Sequence, residues 1–146
     1  VRVYKLRWRI EEIFRALKKD GMRIEETQMQ KADALFKLAM IGLAAATRTL
    51  QLVNARDGST RPATDVIDAD LMPAAEAIAA TLEGKTERQK NPHPRGSLAW
   101  LAWVIARLGG WNCYYKPPGP KTMHRGWAEF AAMVTGFLIA TSQQNP

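Results

Sequence analysis

Apolar positions recur at three- and four-residue spacing along most of the chain, which predicts helices and offers no convincing pair of strands. Leu6, Ile10, Ile13, Phe14 and Leu17 line one face of a first segment, Arg2 to Lys19, that stops at Asp20-Gly21, where glycine can take a left-handed C-terminal conformation. Met22 to Thr27 reads as a linker. A second, Ala- and Leu-rich segment spans Gln28 to Ala55 and ends before Asp57-Gly58. Its apolar positions nearly encircle Ala39 to Ala46, which predicts the central core helix. A third helix is expected over Ala69 to Glu83, with Pro73 in its first turn, where a missing N–H costs little.

Lys85 to Arg95 is a polar, basic connector without a rigid element, open either to solvent or to non-specific phosphate contacts. Ser97 is placed to cap a fourth helix, Leu98 to Leu108, closed by Gly109-Gly110. Tyr115 to Pro120 holds three prolines and a glycine and reads as a loop. A fifth helix is expected over Trp127 to Thr141, with Phe130, Met133, Val134, Phe137 and Leu138 at helical spacing. The apolar faces of the last two helices either complete a core or leave a patch for a partner. No internal repeat or low-complexity tract occurs.

Composition narrows this picture. A chain of 146 residues with 47% apolar and 24% charged residues is ordinary globular material with room for one core and a small appended piece. Lys and Arg outnumber Asp and Glu by 21 to 14, and the resulting +7 suits a polyanionic partner. A single cysteine, Cys113, with His93 and His124 builds neither an internal disulfide nor a four-ligand zinc site. The chain opens on charged residues unlike a signal peptide, and the most apolar stretch, Leu35 to Val53, is interrupted by Lys37 and Arg48, so it reads as a buried helix rather than a membrane span. Trp100 and Trp103 are expected in the core, His93 and His124 on the surface. Val1 in first position suggests a piece of a longer chain.

The chemistry concentrates on the first helix. At about 100° per residue, with Tyr4 at zero, Glu11, Lys18 and Arg7 fall near −20°, −40° and −60° and Arg15 near +20°. The apolar set occupies roughly 180° to 280°. One carboxylate among three cations and a phenol is either a solvated face of i,i+4 pairs or a phosphodiester site. In such a site the carboxylate helps hold a divalent metal, and Arg, Lys and Tyr bind phosphate oxygens.

The spacing Tyr4-x2-Arg7-x3-Glu11-x6-Lys18 resembles the Tyr-(2)-Arg-(3)-Glu-(6)-Lys signature of a group of bacterial insertion-sequence DDE transposases. Downstream, Gly96-Ser-Leu-Ala-Trp100 and Ala106-Arg-Leu-Gly-Gly-Trp111 are similar to the C-terminal region of a composite-transposon transposase in that group. The resemblance implies the last catalytic helix of a truncated RNase H-like domain (residues 1–27), then a helical C-terminal domain (28–146) concerned with dimerisation. It implies Glu11 as the third member of an Asp-Asp-Glu triad binding two Mg²⁺ ions, and Tyr4, Arg7 and Lys18 as contacts to transposon-end DNA. Arg15 joins them on the wheel alone. The expected partners are transposon-end and target DNA and a second copy in a synaptic homodimer, in a bacterial cytoplasm and on the nucleoid when bound.

The two Asp residues of such a triad belong to strands ahead of the motif. Asp20, Asp33, Asp57, Asp65, Asp68 and Asp70 lie in later linkers and helices. The chain alone is therefore expected to hold no metal pair and to be inactive. The rival reading is a non-enzymatic helical module that binds DNA or another transposase chain.

Overall fold

In a computed structural model, Glu11, Arg15 and residues 31–143 are described. Four α-helices and no strand run through these described residues: α1 (Ala32–Ala55), α2 (Met72–Leu82), α3 (Leu98–Leu108) and α4 (Pro120–Ser142). Single 3-10 turns at Ala63–Asp65, Ala69–Leu71 and Glu87–Gln89 punctuate the connections. The mainly α class expected from the apolar spacing is what is found. The chain divides into two compact units, Val1–Gln51 and Leu52–Pro146.

In the second unit the core is built around α3. Every residue from Leu98 to Ala106 is buried, so this helix is apolar all round and needs neighbours all round. They come from α2, α4 and the Ala63–Asp65 turn. Helix α2 offers the small stripe Ala74, Ala75, Ile78 and Ala79, and α4 offers Met123, Gly126, Phe130 and Val134 at i, i+3, i+7 and i+11. Leu52 and Ala55, the end of α1, join the same cluster. Each of the fully buried residues Leu98, Leu101 and Ile105 contributes about 1.5–3 kcal/mol relative to exposure.

The ends of α3 follow from its flanking residues. The Ser97 hydroxyl accepts from the Trp100 N–H at 3.1 Å, satisfying one orphan donor of the first turn. At the other end Gly110 has φ of 87°, and the N–H groups of Gly110 and Trp111 donate to the carbonyls of Arg107 and Ala106. This is the paired pattern of a Schellman motif, which glycine permits without strain. Ahead of α3, Leu98 and Ala63 donate to the carbonyls of Arg61 and Gly96, an isolated antiparallel bridge between Pro62 and Ser97 that ties the 57–64 turn region to the cap.

Three expectations change. The central helix of the core is α3, not the Ala39–Ala46 stretch: Phe36, Met40 and Ile41 on α1 are 65%, 51% and 68% exposed, and in that region only Gly42 and Ala46 are buried. An apolar circumference predicts burial only where neighbours exist to surround it, and α3 has them. Second, α4 begins at Pro120 rather than Trp127, because Pro120 sits in its first turn after Gly119, where proline is pre-organised for a helix. From Met133 onward its apolar residues Met133, Phe137, Leu138 and Ile139 are exposed, so this end leaves a patch. Third, the 85–95 connector is not wholly without structure. It contains the Glu87–Gln89 turn and is anchored to α2 by the bidentate pair of Arg95 with Glu76.

Candidate nucleic-acid interface

Glu11 and Arg15 are each helical and exposed. Tyr4, Arg7 and Lys18 lie outside the described residues. Among the described residues no three His, Cys, Asp or Glu side chains converge as a metal centre requires. Glu11 is one carboxylate and offers a metal one ligand's worth of oxygen, so the described residues do not by themselves compose a two-metal site.

In the second unit, many cations that make the chain basic are committed to the fold. Arg107 donates through Nη1 to the Trp111 carbonyl at 2.9 Å and through Nη2 to the Leu82 carbonyl at 3.0 Å, with its guanidinium 5.7 Å from the Trp103 ring centroid. It thereby closes the C-terminal end of α2, where carbonyls lack helical partners and cations are favoured, and ties to it the turn that follows α3. Arg125 donates to the Gly109 carbonyl at the same end of α3. Arg61 pairs with Asp65 at 2.7 Å and Lys90 with Glu87 at 2.6 Å. The hydrogen bond from Arg95 holds the Glu76 carboxyl below its ordinary range, and the bond to Glu87 raises the Lys90 ammonium above its own. Both sites are solvent-exposed, so these shifts describe surface pairing.

One concave feature of this unit was not foreseen. A cleft of about 190 Å³ opens between the end of α1, the 88–93 connector, α3 and the 111–118 loop. Its lining includes Arg56, Arg88, His93, Trp103, Trp111 and Tyr115. These positions are scattered over sixty residues of sequence, and only the adjacency of Tyr114-Tyr115 to Pro117-Pro118 hinted at an aromatic loop. The loop is pinned from several sides. The Trp111 indole donates to the Lys116 carbonyl at 3.2 Å, Arg56 donates to the Pro118 carbonyl at 2.6 Å, and the Tyr114 and Thr86 hydroxyls meet at 2.9 Å. Cys113, half-buried, carries a φ of 70° at the bend. Trp100 and Trp103 are core residues, as expected, at 5% and 4% exposure.

The N-terminal region finds a counterpart among known proteins. Residues 1–48 match the family model of the transposase DDE domain, a stretch that contains the whole Tyr4, Arg7, Glu11 and Lys18 pattern. The match supports a DDE transposase, an enzyme class acting on DNA. It covers 48 of the 146 residues, a third of the chain, and stops within α1.

Proposed function

We propose that this chain is the C-terminal part of a cut-and-paste insertion-sequence transposase. It contributes Glu11 as the third carboxylate of an Asp-Asp-Glu triad, with Tyr4, Arg7, Lys18 and Arg15 holding transposon-end DNA. The observation that carries the reading is the coincidence of the four-residue pattern with the DDE-domain match over residues 1–48. The two aspartates are supplied by strands that precede the motif helix in the complete enzyme. Divalent metal ions held by such a triad supply activation of water and neutralisation of phosphodiester charge. The share of this chain is one anionic ligand and a set of cations that position the strand. Glu11 and Arg15, each helical and exposed, are compatible with that division.

Two further parts of the reading concern partners. The exposed end of α4, with Met133, Phe137, Leu138 and Ile139, supports self-association in a synaptic homodimer on target DNA. Helix α1 is long and apolar enough to cross a bilayer. It nevertheless carries Asp33, Lys37 and Arg48, pairs Lys37 with Asp33 at 2.8 Å, and ends with Leu52 and Ala55 in a protein core. We therefore read α1 as a helix of a cytoplasmic, DNA-associated protein.

The test is Glu11→Gln in the complete enzyme. Cleavage of a terminal-repeat duplex should be abolished while end-DNA binding is retained, because the substitution removes a metal ligand and no phosphate contact. Equal loss of binding and cleavage would overturn the role given to Glu11. The chain by itself should not nick or join DNA in Mg²⁺ or Mn²⁺, and metal-dependent cleavage by the pure chain would refute its description as a partial site.

A further inference from the structure

The 111–118 cleft has the makings of a binding site distinct from the motif helix. It is small: ligand pockets for drug-sized molecules run to roughly 300–1,000 Å³, and this one is about 190 Å³. It therefore has room for one planar ring and excludes a dinucleotide cofactor. Its floor is apolar, with Ala102 and Trp103 of α3 and the buried Pro118. At its rim stand the half-buried Trp111 and the exposed Tyr115, at 79%. Tyr115 is an aromatic ring that the core does not use, on a loop whose backbone is held by Arg56, Trp111 and the Tyr114–Thr86 contact. A rigid loop presenting an exposed ring loses little entropy when something stacks on it.

The polar groups choose the occupant. Arg56 faces Asp57 at 3.5 Å and is bound to the Pro118 carbonyl, so it is poorly free to take an anion. Arg88, which also lines the cleft, is exposed and packs its guanidinium 6.0 Å from the Tyr114 ring centroid. An aromatic rim with one cation beside it matches a base and the phosphate next to it. Duplex DNA keeps its base faces stacked inside, where Tyr115 cannot reach them. A proline-rich peptide is gripped by an indole N–H that donates outward to its carbonyls, whereas that of Trp111 donates inward to Lys116.

We propose that this cleft holds one unpaired nucleobase of single-stranded DNA, stacked on Tyr115 against Trp111, with the adjoining phosphate at Arg88. The assignment rests on the reading of the chain as DNA-binding, and it adds a single-strand site in the second unit to the duplex contacts of the motif helix.

The test uses the purified chain with two labelled probes, an oligothymidylate and a blunt duplex of equal length, followed by fluorescence anisotropy at several salt concentrations. Tyr115→Ala should weaken oligothymidylate binding by roughly 5- to 100-fold, the loss of one base–aromatic stack. Tyr115→Phe should restore it, and the duplex affinity should not move. Arg88→Ala should lower the single-strand salt slope by about 0.7. Oligothymidylate binding that ignores Tyr115→Ala overturns the cleft assignment and leaves duplex binding as the independent measure of the functional reading. Tyr115-dependent binding of the single strand without duplex binding would keep the cleft and remove the motif-helix reading. No oligothymidylate binding, with or without Tyr115-dependent binding of a labelled proline-rich peptide, also overturns it.

Discussion

Gly126 and Gly136 sit ten residues apart on α4, and the same substitution should act on them with opposite sign. At Gly126 a methyl group would run into the Ile105 carbonyl oxygen and stand 2.8 Å from both the Gly109 nitrogen and the Ile105 carbonyl carbon. These are backbone atoms of α3 and its cap, which cannot rotate aside. The two helices would have to part, loosening Met123 and Phe130, which are 0% and 2% exposed. Overpacking of this kind costs about 1–3 kcal/mol, and contact with fixed backbone argues for the upper end. Against this stands the gain of roughly 0.5–1 kcal/mol for replacing glycine inside a helix. The net expectation for Gly126→Ala is destabilisation of about 2–2.5 kcal/mol. At Gly136 nothing lies within 4 Å of the added methyl, so only the propensity gain remains and Gly136→Ala should stabilise. Urea unfolding followed by helical circular dichroism measures both, and Tm should move in opposite directions by a few degrees. Stabilisation by Gly126→Ala equal to that by Gly136→Ala would refute the close crossing of α3 and α4.

Ser97→Ala should cost about 1 kcal/mol by removing the cap of α3, read from the same unfolding curves; no loss would mean that the Trp100 N–H finds another acceptor. Glu76, whose carboxyl is held low by Arg95, contributes stability present above the ordinary carboxylate range and lost as pH falls through its lowered folded-state value. Its resonance followed by NMR should titrate below that of a free glutamate, and Arg95→Gln should return it to the ordinary range; a titration unmoved by that change refutes the pairing. In the complete enzyme, Arg7→Ala and Lys18→Ala should each lower the salt slope of end-DNA binding by about one unit while barely changing stability. Unchanged slopes for both would leave the cationic stripe as ordinary surface.

Much of the fold was legible where single residues carry a local instruction. Ser97 before an apolar run, Gly109-Gly110 after it, and Pro73 at a start act through backbone geometry within a few positions, and each lies where those rules put it. Pro120 obeys the same kind of rule, but the proline-rich stretch around it masked its role as a helix start. The choice of core helix was not local. The Ala39–Ala46 stretch and Leu98–Ala106 are both apolar on every side, and which one is enclosed depends on partners distant in sequence. The candidate site divides in the same manner. The Tyr4, Arg7, Glu11 and Lys18 spacing is readable because it falls within one short stretch of sequence. The 111–118 cleft is not, because four segments converge to form it, and the commitment of Arg107 and Arg125 to carbonyls is invisible in a sum of charges.

The pinning of the 111–118 loop also bears on how the chain meets proteases. With two adjacent tyrosines, 44% and 79% exposed, outside any helix, this loop is the cut site a chymotrypsin-like enzyme would be expected to favour. Cleavage, however, requires a segment to leave its hydrogen bonds and extend through the protease's active site, and here Arg56, Arg107, Trp111 and Tyr114 all hold the loop to its surroundings. Past Val134, the described residues of α4 are all exposed, and the hydrogen bonds of Thr135, Thr141 and Ser142 stay within the helix itself. Among the described residues, digestion should therefore cut the C-terminal helix, at Phe137 or Leu138, before the loop, and leave the highly exposed Tyr115 intact.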